Sequence, residues 1–130
     1  MAKRRQSLRI RIPLYHPPRN NWKMSIHNEL MKKILTHSVQ YIKSERLELK
    51  IILYLPPNKI GWHDVDNRLK DIMDALQGRA GGPKAKRFLK PVIPNDSQIY
   101  KVTIEKKTPP GQSHGLGHLI IRKYKQNKKN

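Results

Sequence analysis

Four of the nine acidic residues in this chain, Asp64, Asp66, Asp71 and Asp74, lie close together, although the protein carries 28 lysines and arginines. Carboxylate oxygens are preferred ligands of hard cations such as Mg²⁺. Asp64 and Asp66 are separated by one residue, and in extended backbone that spacing directs both side chains to the same side. Lys70 follows Asp66 by one helical turn and so lies over the same patch. The spacing therefore predicts a carboxylate pair that could hold a metal ion beside a basic side chain.

Structural explanations also account for parts of this cluster. Asp66 could be the N-cap of a helix, a position that aspartate fills well. Asp71 and Asp74 fall on the polar face of that helix, where we expect them to be solvated. A calcium loop of the EF-hand type is excluded, because Arg68 and Leu69 occupy the positions that require an acidic or amide residue and a glycine. The residues alone leave the metal site and the structural explanation open.

A further carboxylate lies downstream in the stretch "NDSQI". Asp96 is the only acidic residue between Asp74 and Glu105, and it comes just before a predicted strand. The run Asn95-Asp96-Ser97 is also favourable for a turn. If this strand lay beside the Asp64 loop, three carboxylates would meet, a set that suits one or two Mg²⁺ ions.

The elements that must position these residues follow from hydrophobic periodicity. Alternating apolar residues predict strands, and helical spacing predicts two helices, the second beginning at Asp66 or Asn67 and stopping at Gly78. The predicted strands are 8–14, 47–55, 98–106 and 117–124, and the helices are 24–41 and 66–77. The order β-α-β-α-β-β indicates one small α/β domain of the α+β type over residues 1–130, with a mixed sheet of about four strands. We expect a flexible basic loop at 79–94 and a disordered basic tail at 125–130.

The net charge of +19 indicates which class of molecule the protein binds. Basic side chains in such excess repel one another, and this repulsion is usually relieved by a bound polyanion, for which nucleic acid is the leading candidate. An anionic membrane surface is disfavoured, because no amphipathic helix combines a basic face with large aromatic anchors. No apolar run is long enough to span a membrane, the basic start lacks an apolar segment typical of a secretory signal, and cysteine is absent. We therefore expect a cytoplasmic protein without disulfides or thiolate metal sites.

The two acidic motifs resemble those of a known family. The runs "DVDNRLK" and "DAL", from Asp64 to Leu76, followed by "NDSQI" from Asn95, resemble the RusA family of Holliday junction resolvases. The likeness extends loosely over most of the chain, but its specificity lies in residues 64–99. Two features depart from the family: Asn95 stands where its downstream pair begins with Asp, and the loop between Gly78 and Pro94 is long and rich in glycine and lysine.

The resemblance implies a homodimer that cuts four-way DNA junctions symmetrically with Mg²⁺, for which Mn²⁺ could substitute. Asp64, Asp66 and Asp96 would then be the catalytic carboxylates that hold the metal, and Lys70 a fourth catalytic residue. The expected DNA-binding residues are Lys70, Lys84, Lys86, Arg87, Lys90, Arg9 and Arg11. A non-catalytic basic nucleic-acid-binding protein would explain the charge equally well, but not the placement of three acidic residues. A Mg²⁺-dependent enzyme acting on RNA or replication flaps would share the same site chemistry.

Overall fold

The computed structural model describes residues 7–80, 89–109 and 116–125. It contains four strands and two main helices in the predicted order, which confirms the small α+β domain with a mixed sheet. The elements are β1 (Leu8–Ile12), α1 (Arg19–His37), β2 (Leu47–Tyr54), a 3₁₀ helix (Pro57–Trp62), α2 (Val65–Leu76), a second 3₁₀ helix (Asp96–Gln98), β3 (Ile99–Lys107) and β4 (Gly117–Lys123).

The sheet has the strand order β1-β4-β2-β3, so that β1 and β3 form its edges. β4 pairs antiparallel with both β1 and β2, whereas β2 and β3 pair in parallel, with Leu47 opposite Ile99. A parallel pair needs a crossover connection, and α2 lies in that connection. The chain therefore leaves β2 at one end of the sheet and returns along α2 to begin β3 at the other end.

The core lies on one face of the sheet, where both helices pack. Alternate residues of β1, β2 and β4 are buried there, as the period of two predicts. α1 contributes Trp22, Ile26 and Leu30, all fully buried. Trp22 is a core residue, and its indole Nε1 donates a hydrogen bond to the Pro13 carbonyl at 3.0 Å. Leu14 lies beyond the end of β1 and is 66% exposed, so the predicted strand was two residues too long.

Both helices begin earlier than predicted, and α1 also ends four residues before the predicted residue 41, at His37, after which Ser38 takes a left-handed conformation with φ 53°. α1 begins at Arg19, directly after the two prolines, because proline is tolerated just before and within a first helical turn. α2 ends as predicted: Gly78 has φ +74°, and the N–H of Arg79 donates to the Asp74 carbonyl at 2.8 Å. The Gly78 N–H donates to the Ala75 carbonyl at 3.1 Å, which completes a Schellman motif.

Part of the predicted loop 79–94 is ordered in the core. Residues 81–88, with Lys84, Lys86 and Arg87, lie outside the described residues. Val92 and Ile93 are buried, and both donate backbone hydrogen bonds to the Leu76 carbonyl at the end of α2. Of the predicted tail, 126–130 also lies outside the described residues.

Two aspartates of α2 link it to α1. Asp71 is completely buried, and its Oδ1 accepts hydrogen bonds from Arg19 Nε at 3.0 Å and Nη2 at 2.7 Å. Its Oδ2 accepts one from Arg68 Nη1 at 3.0 Å. Asp74 pairs with Lys23 Nζ at 2.7 Å. The expectation that Asp71 and Asp74 merely solvate a polar face was wrong, because that face packs against cations of α1 that a helical wheel of α2 alone does not show.

The hydrogen bond to Asp71 raises the pKa of Arg19 above its ordinary value, against the opposing effect of burial.

We expect Asp71→Asn to destabilise the fold by about 3 kcal/mol, because the buried guanidinium of Arg68 would lose its counter-charge. Asp74→Asn, a matched change at a pair that is less completely buried, should lower the unfolding free energy by less, about 2 kcal/mol. Urea unfolding of the two variants measures the difference, and equal losses would contradict the assignment of Asp71 as the main link.

Candidate metal site and nucleic-acid interface

Asp64 and Asp66 lie together at the exposed start of α2. Asp64 is the N-cap residue in extended backbone, and Asp66 is in the first helical turn. Because α2 begins at Val65, the pair does not sit in continuous extended backbone as the sequence suggested. Their Cα atoms are nevertheless no more than about 7.6 Å apart, since consecutive Cα atoms are about 3.8 Å apart. Both residues are exposed, and neither makes an ion pair with the part of the chain that the structure describes.

Two polar neighbours accompany the pair. Asn67 Nδ2 donates to Asp64 Oδ2 at 3.2 Å, whereas the Asp64 side chain makes no capping bond to the helix backbone. Lys70 is exposed one turn after Asp66. The helix start therefore presents two carboxylates, an amide and an ammonium group to solvent.

The buried side chain of Arg68 packs on the core side of this helix start. The Arg68 guanidinium lies 4.2 Å from the ring centroid of Tyr15 and 5.4 Å from that of Trp22, and it also bonds Asp71. The edge of the Tyr15 ring also packs against His63, which is buried just before Asp64. Sequence reasoning missed the role of Arg68. A helical wheel could have found it, because 100° steps place this charge between Ala75 and Ile72 on the apolar face.

The downstream motif is mainly a structural anchor. Asn95 Oδ1 accepts from the Ser97 N–H at 2.9 Å, and Gln98 Oε1 accepts from the Asn95 N–H at 3.0 Å, which together form a capping box. Buried Gln98 also donates through Nε2 to the carbonyls of Ile42 and Glu45, both at 2.9 Å. Asn95 thus caps the second 3₁₀ helix, at the position where the RusA family has the first Asp of its downstream pair. Asp96 is exposed.

Within one chain the structure does not bring Asp96 to Asp64 and Asp66. Asp64 precedes α2, whereas Asp96 follows the segment that bonds the carbonyl of Leu76, the last residue of α2. A helix of 12 residues rises about 18 Å, so the carboxylates lie toward opposite ends of α2. Among the described residues, no three histidine or acidic side chains are gathered so that they could hold a metal ion.

The exposed pair alone still suits Mg²⁺. This ion usually keeps several waters and is held by one or two carboxylates together with substrate phosphates, rather than by a cage of protein ligands. Asp64 and Asp66 supply two hard oxygen donors whose charges are not neutralised by a described cation. The donor set therefore fits one hydrated Mg²⁺ ion bound partly through a phosphate.

The predicted DNA-binding residues are spread over the molecule. Lys70 accompanies the carboxylate pair, and Arg9 and Arg11 project from the sheet face that the helices leave open. Lys90 is exposed beyond the other end of α2, where its backbone carbonyl accepts a hydrogen bond from His27 Nε2 at 2.7 Å. The three bases of the 81–88 segment lie outside the described residues.

Comparison of the sequence with protein-family models and with curated proteins finds no match. In the described ranges, no helix has both the length and the apolar character needed to cross a bilayer.

Gln98→Ala should destabilise the protein by about 2 kcal/mol, because it removes the hydrogen bonds of a buried amide to the Ile42 and Glu45 carbonyls and to the Asn95 N–H. Ser97→Ala is the matched control, since Ser97 is exposed and contributes only its backbone N–H to the capping box. Chemical unfolding of both variants tests this assignment. A Gln98→Ala protein as stable as Ser97→Ala would show that the motif does not anchor β3.

Proposed function

We propose that the protein is a Mg²⁺-dependent endodeoxyribonuclease that cuts branched DNA, with four-way junctions as the substrate. The observation that carries this proposal is the exposed pair Asp64 and Asp66, with Lys70 one turn later, on a chain of net charge +19. The other two aspartates of α2 already have cationic partners and are held in the fold. The pair that remains is therefore the part of the cluster that packing does not explain.

The chemistry of the site follows from these side chains. Asp64 and Asp66 would hold the metal, which lowers the pKa of bound water and offsets charge on a phosphodiester. Asn67 orients the Asp64 carboxylate through its hydrogen bond at 3.2 Å. Lys70 places a positive charge beside the phosphate, where it stabilises the additional negative charge of the transition state. Arg68 and the Tyr15 ring fix the helix turn from which these groups project.

Junction specificity and the homodimer come from the family resemblance. A four-way junction has approximate two-fold symmetry, so a C₂ dimer that presents two sites suits paired cuts. The resemblance also makes Asp96 essential. Because Asp96 lies toward the far end of α2 in one chain, it would have to reach the metal from a second copy of the chain.

A non-catalytic nucleic-acid-binding protein is the alternative. The charge of +19 favours it as much as it favours a nuclease. Exposed carboxylates weaken phosphate binding unless a cation bridges them, and the pair at the start of α2 is thus unfavourable in a protein that only binds. Divalent-dependent cleavage distinguishes the two.

The expected result is that the wild-type chain makes paired symmetric cuts in a labelled synthetic four-way junction with Mg²⁺ and none with EDTA. Asp66→Asn should reduce the cleavage rate at least about 100-fold, the scale on which a single stabilising group at a reacting phosphate acts. Glu105→Gln removes the same charge from β3 and serves as the matched control. Plain duplex, single strand and a flap substrate run in parallel establish the substrate preference.

Retention of binding is measured for each variant by gel shift in EDTA. Cleavage by Asp66→Asn at the wild-type rate would refute the proposed site. Binding of the junction without cleavage in Mg²⁺ or Mn²⁺ would favour the non-catalytic alternative.

A further inference from the structure

A basic groove lies away from the carboxylate pair, at the β1 edge of the sheet, where the open face of β1 meets the second half of α1. It is an open groove of about 580 Å³. Its walls include Arg9 and Arg11 of β1, Lys32 and Lys33 of α1, and His118 of β4. Arg11 and His118 are directly opposite each other across the antiparallel pair β1–β4, so three elements contribute to one surface.

The charge balance of this groove is strongly positive. Among the described residues that line it are four arginines and lysines, against a single carboxylate, Glu29. Glu29 is already paired with Lys32 at 3.1 Å, which leaves most of the positive charge uncompensated by the groove's own residues. Packing does not account for this accumulation, because Lys32 and Lys33 are both exposed.

The groove also disfavours further protonation. The pKa of His118 is lowered below its ordinary value, first by burial and then by the charges of Arg9 and Arg11. The other charged or titratable groups of the groove are Glu29, Lys32, Lys33 and His37, and the Tyr54 ring packs edge-on against the imidazole. Like charges held together in this way are relieved by a bound anion.

We propose that this groove binds the phosphate backbone of a nucleic-acid arm, as a second contact surface apart from the carboxylate pair. The segment of α1 from Glu29 to His37 is about 12 Å long, which corresponds to three or four phosphates of one duplex strand at about 3.4 Å of axis each. A groove with four cations distributed over β1 and α1 suits such a row of phosphates better than it suits one free phosphate.

The position of the groove fits a substrate that extends over the molecule. The first half of α1 contacts α2 through Arg19 and Lys23, while the second half lines the groove. From Lys23, which contacts Asp74 of α2, to Lys32 the helix rises about 14 Å, so the groove lies along α1 beyond the contact between the two helices. The identity of the polyanion rests on the proposed function. An anionic lipid surface fits less well, because the groove is concave and none of its described lining residues is a large aromatic.

The test measures binding of a fluorescein-labelled synthetic DNA duplex in EDTA, with the full chain carrying Asp66→Asn so that cleavage plays no part. The groove variant is Lys32→Gln with Lys33→Gln. The control is Lys43→Gln with Lys101→Gln, which removes two exposed lysines that do not line the groove, Lys101 being on β3 at the opposite edge of the sheet. Circular dichroism establishes that each variant is folded.

Loss of two phosphate contacts should reduce the slope of log K against log salt by about 1.8, which corresponds to binding weakened roughly 30-fold near physiological salt. The control should keep the wild-type slope. Equal changes in the two variants, or no duplex binding by the parent chain, would overturn the proposal.

An NMR titration of His118 gives a second, independent readout. Duplex in the groove would offset the charges of Arg9 and Arg11, and the His118 pKa should therefore rise. Duplex binding without any change in that pKa would place the DNA elsewhere and overturn the proposal. Loss of binding to phosphatidylserine vesicles by the groove variant, with duplex binding unchanged, would instead identify a lipid surface.

These outcomes are separate from those of the cleavage experiment. A groove variant that binds duplex weakly would support the groove even if the wild-type chain cut no DNA. A wild-type chain that cuts junctions would support the carboxylate site even if the groove variant bound normally.

Discussion

The buried carboxylate of Asp71 is the constraint on which the rest of the described structure depends. It accepts hydrogen bonds from Arg19 of α1 and Arg68 of α2, and so fixes how the two helices meet. Arg68 in turn lies against the rings of Tyr15 and Trp22, which connects the helix pair to the chain leaving β1. A buried charge is costly unless it is paired, so this arrangement tolerates little displacement of α2. The exposed start of α2, with Asp64 and Asp66, is held in place by the same contacts.

Four of the nine acidic residues lie in α2 or just before it, and the structure divides them into two pairs. Asp71 and Asp74 join two helices, whereas Asp64 and Asp66 remain exposed at the helix start. A protein whose surface repels cations needs adjacent carboxylates to hold a divalent ion, and the same surface attracts a phosphate backbone. The groove beside β1 extends this basic character along α1, away from the carboxylate pair. Metal binding and polyanion binding would thus use different parts of one surface.

Periodicity was enough to predict the order of elements, because alternating apolar residues such as Leu47, Leu49 and Ile51 report directly which face of a strand is buried. The Gly78 stop was also predictable, since a left-handed residue after a helix favours glycine. The way in which Asp71 and Asp74 join α2 to α1 was not, because their partners in α1, Arg19 and Lys23, lie 52 and 51 positions earlier in the chain. The separation of Asp96 from Asp64 depends on the parallel crossover of β2 and β3, which the spacing of the motifs does not encode.

Amide NMR spectra of the wild-type chain during titration with Mn²⁺ test the central claim most directly, because the paramagnetic ion broadens signals only near its site. If Asp64 and Asp66 are the part of the cluster that holds a metal, the amides of Val65, Asp66 and Asn67 should broaden first. The amide of Asp71, buried with its arginine partners, should broaden later. Broadening centred on Asp71 and Asp74, or spread evenly over the acidic residues of the chain, would contradict the account.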